Sequence, residues 1–204
     1  MGERRESKKR ETRQRISDVA TELFFARGFD TVTLDEVATA AKVSKMTVFN
    51  YFARKEDLML DREDDLKLLF FRDAIRERPE GQSPIDAIRQ LTVTLRKQKH
   101  SVVRIHPEMA GWWRVIHASP SLQARLRELG DEAADGLALE IGGSRPDGLA
   151  RLMAGMIVLT VSVARQEGIR VLERGGSAKK ATAAFLALLD RGFAAIDTLA
   201  NVRD

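Results

Sequence analysis

The residues best suited to chemistry stand in one short run, Ser44-Lys45-Met46-Thr47-Val48-Phe49-Asn50-Tyr51-Phe52-Ala53-Arg54-Lys55. Ser44 is a favourable helix cap. Behind it, Val48 and Phe52 give one helical edge that can hold to a scaffold, while Lys45, Thr47 and Asn50 fall outside that edge. A helix whose first turn carries small polar and basic groups suits the DNA major groove, where base edges offer donors and acceptors to that turn. Upstream, Thr33 precedes Leu34, Val37, Ala38 and Ala41, and Glu36 follows it at the spacing of a reciprocal capping box. Two short helices joined by a tight turn result.

These elements need a frame. A first helix is expected over Thr12–Arg27, with Ile16, Val19, Ala20, Leu23 and Phe24 on one face and Gly28 as its end. Beyond the short pair, a long amphipathic helix over Glu56–Arg78 carries Leu58, Leu66, Leu69, Phe70 and Ile75, and the run Arg78-Pro79-Glu80-Gly81-Gln82-Ser83-Pro84 closes it. Further helical patterns cover Pro84–Lys97, Pro107–His117, Pro120–Ile141, Pro146–Glu173 and Ala178–Asn201. The chain is therefore expected to be all-α, with about nine helices. Residues 1–55 would form an N-terminal arm and helix-turn-helix domain, and residues 56–204 a helical ligand-binding and dimerisation domain.

Charge divides the chain at the same place. Residues 1–55 hold 12 Lys/Arg against 8 Asp/Glu, whereas residues 56–204 hold 22 of each, so the whole net charge of +4 sits in the first quarter. A basic quarter joined to a neutral remainder points to one part that faces a polyanion. The arm residues Arg4, Arg5, Lys8, Lys9 and Arg10 are either a solvated tail or a source of salt-sensitive affinity.

Several function classes fall away. Cysteine is absent, which removes disulfides, thiolate metal sites and a thiol nucleophile. His100, His106 and His117 have no metal-ligand spacing, and neither a Ser/His/Asp arrangement nor a phosphate-binding glycine loop is legible. No catalysis, metal or cofactor is expected. The charged start of the chain is unlike a signal peptide, and the apolar run Leu152–Ala164 is 13 residues long, shorter than a membrane span. It reads as a buried helix in a cytoplasmic protein without membrane contact.

The segment Thr33-Leu34-Asp35-Glu36-Val37 through Lys55-Glu56-Asp57-Leu58 resembles the helix-turn-helix of the TetR family of transcriptional regulators. The likeness rests on the small-Val-Ser-Lys turn, the aromatic-x-Tyr-Phe pattern and the downstream Lys-Glu-x-Leu, and extends from about Arg13 to Leu60. The resemblance implies that Lys45, Met46 and Thr47 face bases. It places Phe49 against a thymine methyl or the backbone, and Tyr51, Lys55 and Thr33 on phosphates. Phe49 as core and Tyr51 as packing only are the competing readings. Two positions depart from the family pattern: Lys42 stands where glycine is common, which implies a left-handed backbone, and Met46 replaces a small residue. The operator sequence is thus not transferable from relatives.

A TetR-type body implies a homodimer on a palindromic operator, released by a small apolar or amphipathic effector. Candidate effector contacts are Met109, Trp112, Trp113 and His117 on one helix and Met153, Met156, Thr160 and Gln166 on another, with ordinary core packing as the competing reading. The stretch from Arg62 through the Pro79–Pro84 turn also resembles actinobacterial TetR-type regulators, some of which respond to fatty acyl-coenzyme A. Phe185, Leu189, Gly192 and Ile196, with neighbouring alanines, form a seam expected to serve dimerisation. The alternative is a helical interaction module without specific DNA binding.

Overall fold

The computed structural model describes residues 2–61 and 66–200, with side chains from residue 6 onward. Among these residues it is all-α, with ten helices and one 3-10 turn. They are α1 (Gly2–Arg27), α2 (Leu34–Ala40), α3 (Lys45–Tyr51), α4 (Lys55–Met59), α5 (Leu69–Arg76), α6 (Pro84–Lys97), the 3-10 turn Ser101–Val103, α7 (Glu108–Ala118), α8 (Pro120–Gly142), α9 (Gly148–Glu173) and α10 (Ala178–Ala200). The chain divides into two compact units, Met1–Arg62 with Gly111–Leu126, and Glu63–Ala110 with Arg127–Asp204.

The first unit is built on α1. Ile16, Ala20 and Phe24 are fully buried along its inner face, and Phe29, Val32, Val37, Val48 and Phe52 close over them. Helix α1 starts at Gly2, not Thr12, so the basic arm is helical. Long, straight side chains favour that state, and polar pairs one turn apart support it, with Ser7 Oγ donating to Glu11 at 3.0 Å and Gln14 Nε2 to Asp18 at 2.8 Å.

The expected long helix over Glu56–Arg78 is broken. Helix α4 ends at Met59, Leu60 leaves the helical region at φ −103°, and Leu68 is left-handed at φ 53° immediately before α5. The reason lies in burial: Leu58, Met59 and Leu60 are all covered, at 0, 3 and 0% exposure. Consecutive residues on a helix fan over some 200°, so one buried face cannot take all three. The carbonyl that Met59 would give to a continuing helix instead accepts the Trp112 indole N–H at 3.1 Å. Residues 62–65 of the expected helix and Asn201 of the last one lie outside the described residues.

In the second unit α9 and α10 make the most extensive helix pairing. Met153, Ala154, Ile157, Val161 and Ala164 of α9 share one core with Phe185, Leu189, Phe193 and Ile196 of α10 and with Phe71, Ile75, Ile85 and Ile88. This corrects the expected dimer seam. Phe185, Leu189 and Ile196 are buried inside the chain, at 2, 1 and 0% exposure. Gly192 faces Thr160 of the same chain: a Cβ built on it would stand 2.7 Å from Thr160 Oγ1 and 3.0 Å from its Cβ. An apolar seam and an interface look alike in one sequence because both need a covering partner; here that partner is α9. By length and composition alone α9 could cross a membrane, with a mean hydropathy of 1.5 over its apolar window, but one face of it forms this core.

Gly192→Ala should therefore cost about 1–3 kcal/mol, as overpacking does. Gly111 lies inside α7, where an added Cβ would meet nothing within 4 Å, and should accept alanine with a gain of up to about 1 kcal/mol. Urea unfolding measures both; equal responses would show that close approach is not what Gly192 serves.

Candidate nucleic-acid interface

Helix α2 is opened by Thr33 through a full capping box. Thr33 Oγ1 accepts the Glu36 amide at 3.3 Å, and Glu36 Oε2 accepts the Thr33 amide at 2.7 Å. Arg27 adds a bond to the other carboxylate oxygen at 2.7 Å. The Thr33 backbone N–H, then the Arg27 guanidinium and the Thr33 hydroxyl, hold the Glu36 carboxyl down from 4.5 to about 2. An ionised carboxylate thus occupies the donors of Thr33 that a phosphate would use.

The turn into α3 uses Lys42 at φ 55°, the left-handed conformation expected where glycine is common. Lys42 N donates to Thr39 O at 3.1 Å and Val43 N to Ala38 O at 3.0 Å, which closes α2. Ser44 then caps α3, accepting the Thr47 amide at 3.0 Å, and its hydroxyl meets Thr47 Oγ1 at 2.8 Å. Val48 and Phe52 are buried at 1 and 2% exposure. The opposite edge is open: Ser44, Lys45 and Asn50 are exposed, as are Met46 at 68% and Phe49 at 44%, while Thr47 and Tyr51 are half-buried. Phe49 is therefore not a core residue.

Two lysines differ in state. Lys45 Nζ lies 2.7 Å from Asp35 Oδ2 on α2, an exposed pair that solvent screens and that an incoming base or phosphate can displace. Lys55 turns inward, donating to Phe29 O at 2.6 Å with its ammonium 4.4 Å from the Phe29 ring centroid, and burial lowers its pKa. Its side chain secures the loop after α1, and its backbone stands at the start of α4.

Sequence patterns give no sign of Arg13. Its guanidinium stacks 4.4 Å from the Phe52 ring centroid, donates to Tyr51 O at 2.6 Å and pairs with Asp61. It thereby holds the C-terminal end of α3 to α1 across 38 positions of sequence, a separation no local pattern encodes. Because α1 continues through the arm, Glu6, Lys8, Lys9 and Thr12 line one cleft with Thr47, Asn50 and Tyr51, of about 750 Å³. The arm and the outer edge of α3 form one surface.

The effector candidates are divided between the two units. Trp112, Trp113 and His117 belong to the first unit, and Met109, Met153, Met156, Thr160 and Gln166 to the second. Trp112 is engaged with Met59, and Trp113 is buried with its indole N–H unpartnered, 5.2 Å from the Trp112 ring and 5.6 Å from His117. Met153 is core and Thr160 packs on Gly192. Among the described residues no group of three or more His, Cys, Asp or Glu is placed to hold a metal ion.

Residues 16–61 match the family model described as bacterial regulatory proteins, tetR family. Over 84 residues the chain is 34% identical to the HTH-type transcriptional regulator TcmR of Streptomyces glaucescens, an alignment covering 41% of this chain. It spans 37% of that relative, so the likeness covers little more than a third of its length. Among solved structures, FadR of Thermus thermophilus, a TetR-family repressor in complex with lauroyl-CoA, aligns over 94% of this chain and 96% of its own at 26% identity and a TM-score of 0.47. A protein of Mesorhizobium loti MAFF303099 assigned as a TetR-family regulator aligns over 91% and 96% at 19% identity and a TM-score of 0.50, a likeness of fold.

The depressed Glu36 carboxyl makes a pH prediction. Its contribution to stability is present above the ordinary value of 4.5 and is lost as pH falls toward about 2. The gap in melting temperature between the parent and Glu36→Gln should be full near neutral pH and close across that window. A gap that stays constant with pH would show that the Glu36 charge contributes nothing.

Proposed function

We propose that the chain, whose residues 16–61 match the tetR family model, is a TetR-type ligand-responsive DNA-binding regulator. In this reading it is a cytoplasmic repressor that holds a palindromic operator as a homodimer and leaves it on binding a small apolar or amphipathic effector such as an acyl-coenzyme A. One observation carries the reading: α3 spends its apolar edge on the scaffold and leaves Lys45, Met46, Thr47, Phe49 and Asn50 outside. That presentation suits a major groove. Phe49 and Met46 supply apolar surface for thymine methyls, and Lys8 and Lys9, in the same cleft as Asn50 and Tyr51, supply phosphate charge. Lys55 enters as a phosphate contact through the backbone of the helix start it occupies, and Thr33 only where a phosphate displaces the Glu36 carboxylate from its donors. No catalytic step is assigned.

For the second copy, the surface we propose is the outer edge of α9. Leu149, Leu152, Leu159 and Val163 are exposed at 44, 51, 63 and 39%, and lie at helical spacing on one side of it. Leucines left open in a row are what a two-fold helix pair covers. The small residues Ala184 and Ala187 of α10 stand ready to admit its close approach.

Lys45→Ala should lose about 1–3 kcal/mol on cognate operator and little on random duplex. Fluorescence anisotropy between low and moderate salt reads both, and an equal loss on random DNA would remove Lys45 from base reading. Absence of any salt-dependent DNA binding by the parent would favour an interaction module instead. Leu152→Glu with Leu159→Glu should leave each copy folded, since both sites are exposed, yet give monomers in sedimentation and weaken operator binding; a variant that remains dimeric places the interface elsewhere.

A further inference from the structure

The second unit carries a cleft of about 560 Å³ formed by the end of α6, the segment around the 3-10 turn and the first turns of α10. None of the candidate effector contacts on α7 and α9 lines it. Four cationic side chains do: Arg96, Lys99, Arg104 and Lys179. Asp190 takes both its bonds from Arg96, at 2.8 Å each, while Lys99, Arg104 and Lys179 make no ion pair among the described residues. Between these charges lie the apolar Val103, Ile105 and Leu186.

The cleft is held in shape before anything enters it. The Ile105 amide donates to Thr182 Oγ1 on α10 at 3.0 Å, and the Ile105 side chain packs at Gly168, where a Cβ would come within 2.7 Å of it. On the other wall Arg96 reaches across to Asp190. Two nitrogens there are already out of water and lack a partner, Arg96 Nε and His106 Nε2. Buried polar groups without partners are uncommon in a finished fold, and two of them stand together on this cleft.

Lys99 adds an independent sign. It sits at φ 54° in the C-terminal closure of α6, with His100 N on Leu95 O at 3.0 Å, where glycine is the usual residue. A lysine bears strain at that position, and among the described residues its ammonium makes no hydrogen bond or ion pair. Strain kept with an unused charge beside a cleft points to a function for that charge.

We propose that this cleft binds a small amphipathic anion, a carboxylate or phosphate head on a short apolar body. The head is held by Lys99, Arg104 and Lys179 with the free Arg96 Nε–H, and the body rests on Val103, Ile105 and Leu186. Dimerisation through the α9 stripe leaves the cleft open: Gly168 lies at the Ala181 end of the α9–α10 pair, beyond Leu149 to Val163. The site deepens the sensor reading by placing an effector, and rests on that reading only for its effect on DNA.

Calorimetry on the full chain without DNA tests it with octyl phosphate, octanoate, octanol and inorganic phosphate. The two octyl anions should bind at least tenfold more tightly than octanol or inorganic phosphate, and the stronger of the pair identifies the head group. Lys99→Glu and Arg104→Glu should each weaken the anions tenfold or more while the chain stays folded. Lys99→Gly should weaken them too, yet hold or raise the melting temperature, because glycine suits φ 54°. Equal binding of octanol and octyl phosphate, undiminished binding by the variants, or no binding by the parent overturns the proposal. Operator anisotropy with and without octyl phosphate separates the two readings: anion binding with no DNA binding sinks the regulator and keeps the site.

Discussion

Burial of Val48 and Phe52 is the contact on which the rest depends. A seven-residue helix such as α3 has no stability of its own in water, since nucleation is costly and so few residues repay it. It exists because two apolar side chains are taken out of solvent, at roughly 1.5–3 kcal/mol each, and because Ser44 and Arg13 secure its two ends. Those four contacts also fix which way the helix faces. With Val48 and Phe52 inward, the 3.6-residue period turns Met46, Phe49 and Asn50 to the surface, and Lys45, in the first turn, is exposed beside them.

The open surface is less positive than a count of its lysines implies. Asp35 pairs with Lys45, Glu36 is kept ionised at the head of α2, and Lys55 spends its charge on Phe29. In the proposed regulator these carboxylates would raise the cost of approaching phosphate indiscriminately, and so favour sites where the Lys45 bond to Asp35 is replaced by a better one on a base. The unspecific attraction would fall instead to the helical arm, where Lys8 and Lys9 are exposed.

What could be read from sequence follows the range of the interaction. Local rules were legible: the Thr33 and Ser44 caps, the stop at Gly28, the left-handed Lys42, and the later helix bounds from Pro84 onward all depend on residues a few positions apart. Non-local ones were not. The break after Met59 answers to Trp112, the hold on Tyr51 comes from Arg13, and the apolar side of α10 is covered by α9. In each case the local pattern was sound and the partner lay tens of residues away. Core and pocket could not be told apart for the effector candidates for a related reason, since methionines and tryptophans at helical spacing fill cores as readily as pockets.

The α9–α10 pair shows how one helix can meet two apolar surfaces without ambiguity. Its inner side is a fitted one: a Cβ at Gly168 would press on the Ala181 carbonyl of α10 as well as on Ile105, and one at Gly192 would collide with Thr160 of α9, so sterics limit how the pair can slide. Its outer side is a row of large, exposed leucines with nothing in the chain to interlock them. A glycine-notched face admits one neighbour in one position, whereas a leucine row tolerates sliding and repacking. The first property keeps the second unit's core constant, and the second would leave room for two copies, paired there as proposed, to adjust against each other. A regulator whose two reading helices change separation would need both, a rigid pair inside each copy and a permissive seam between copies.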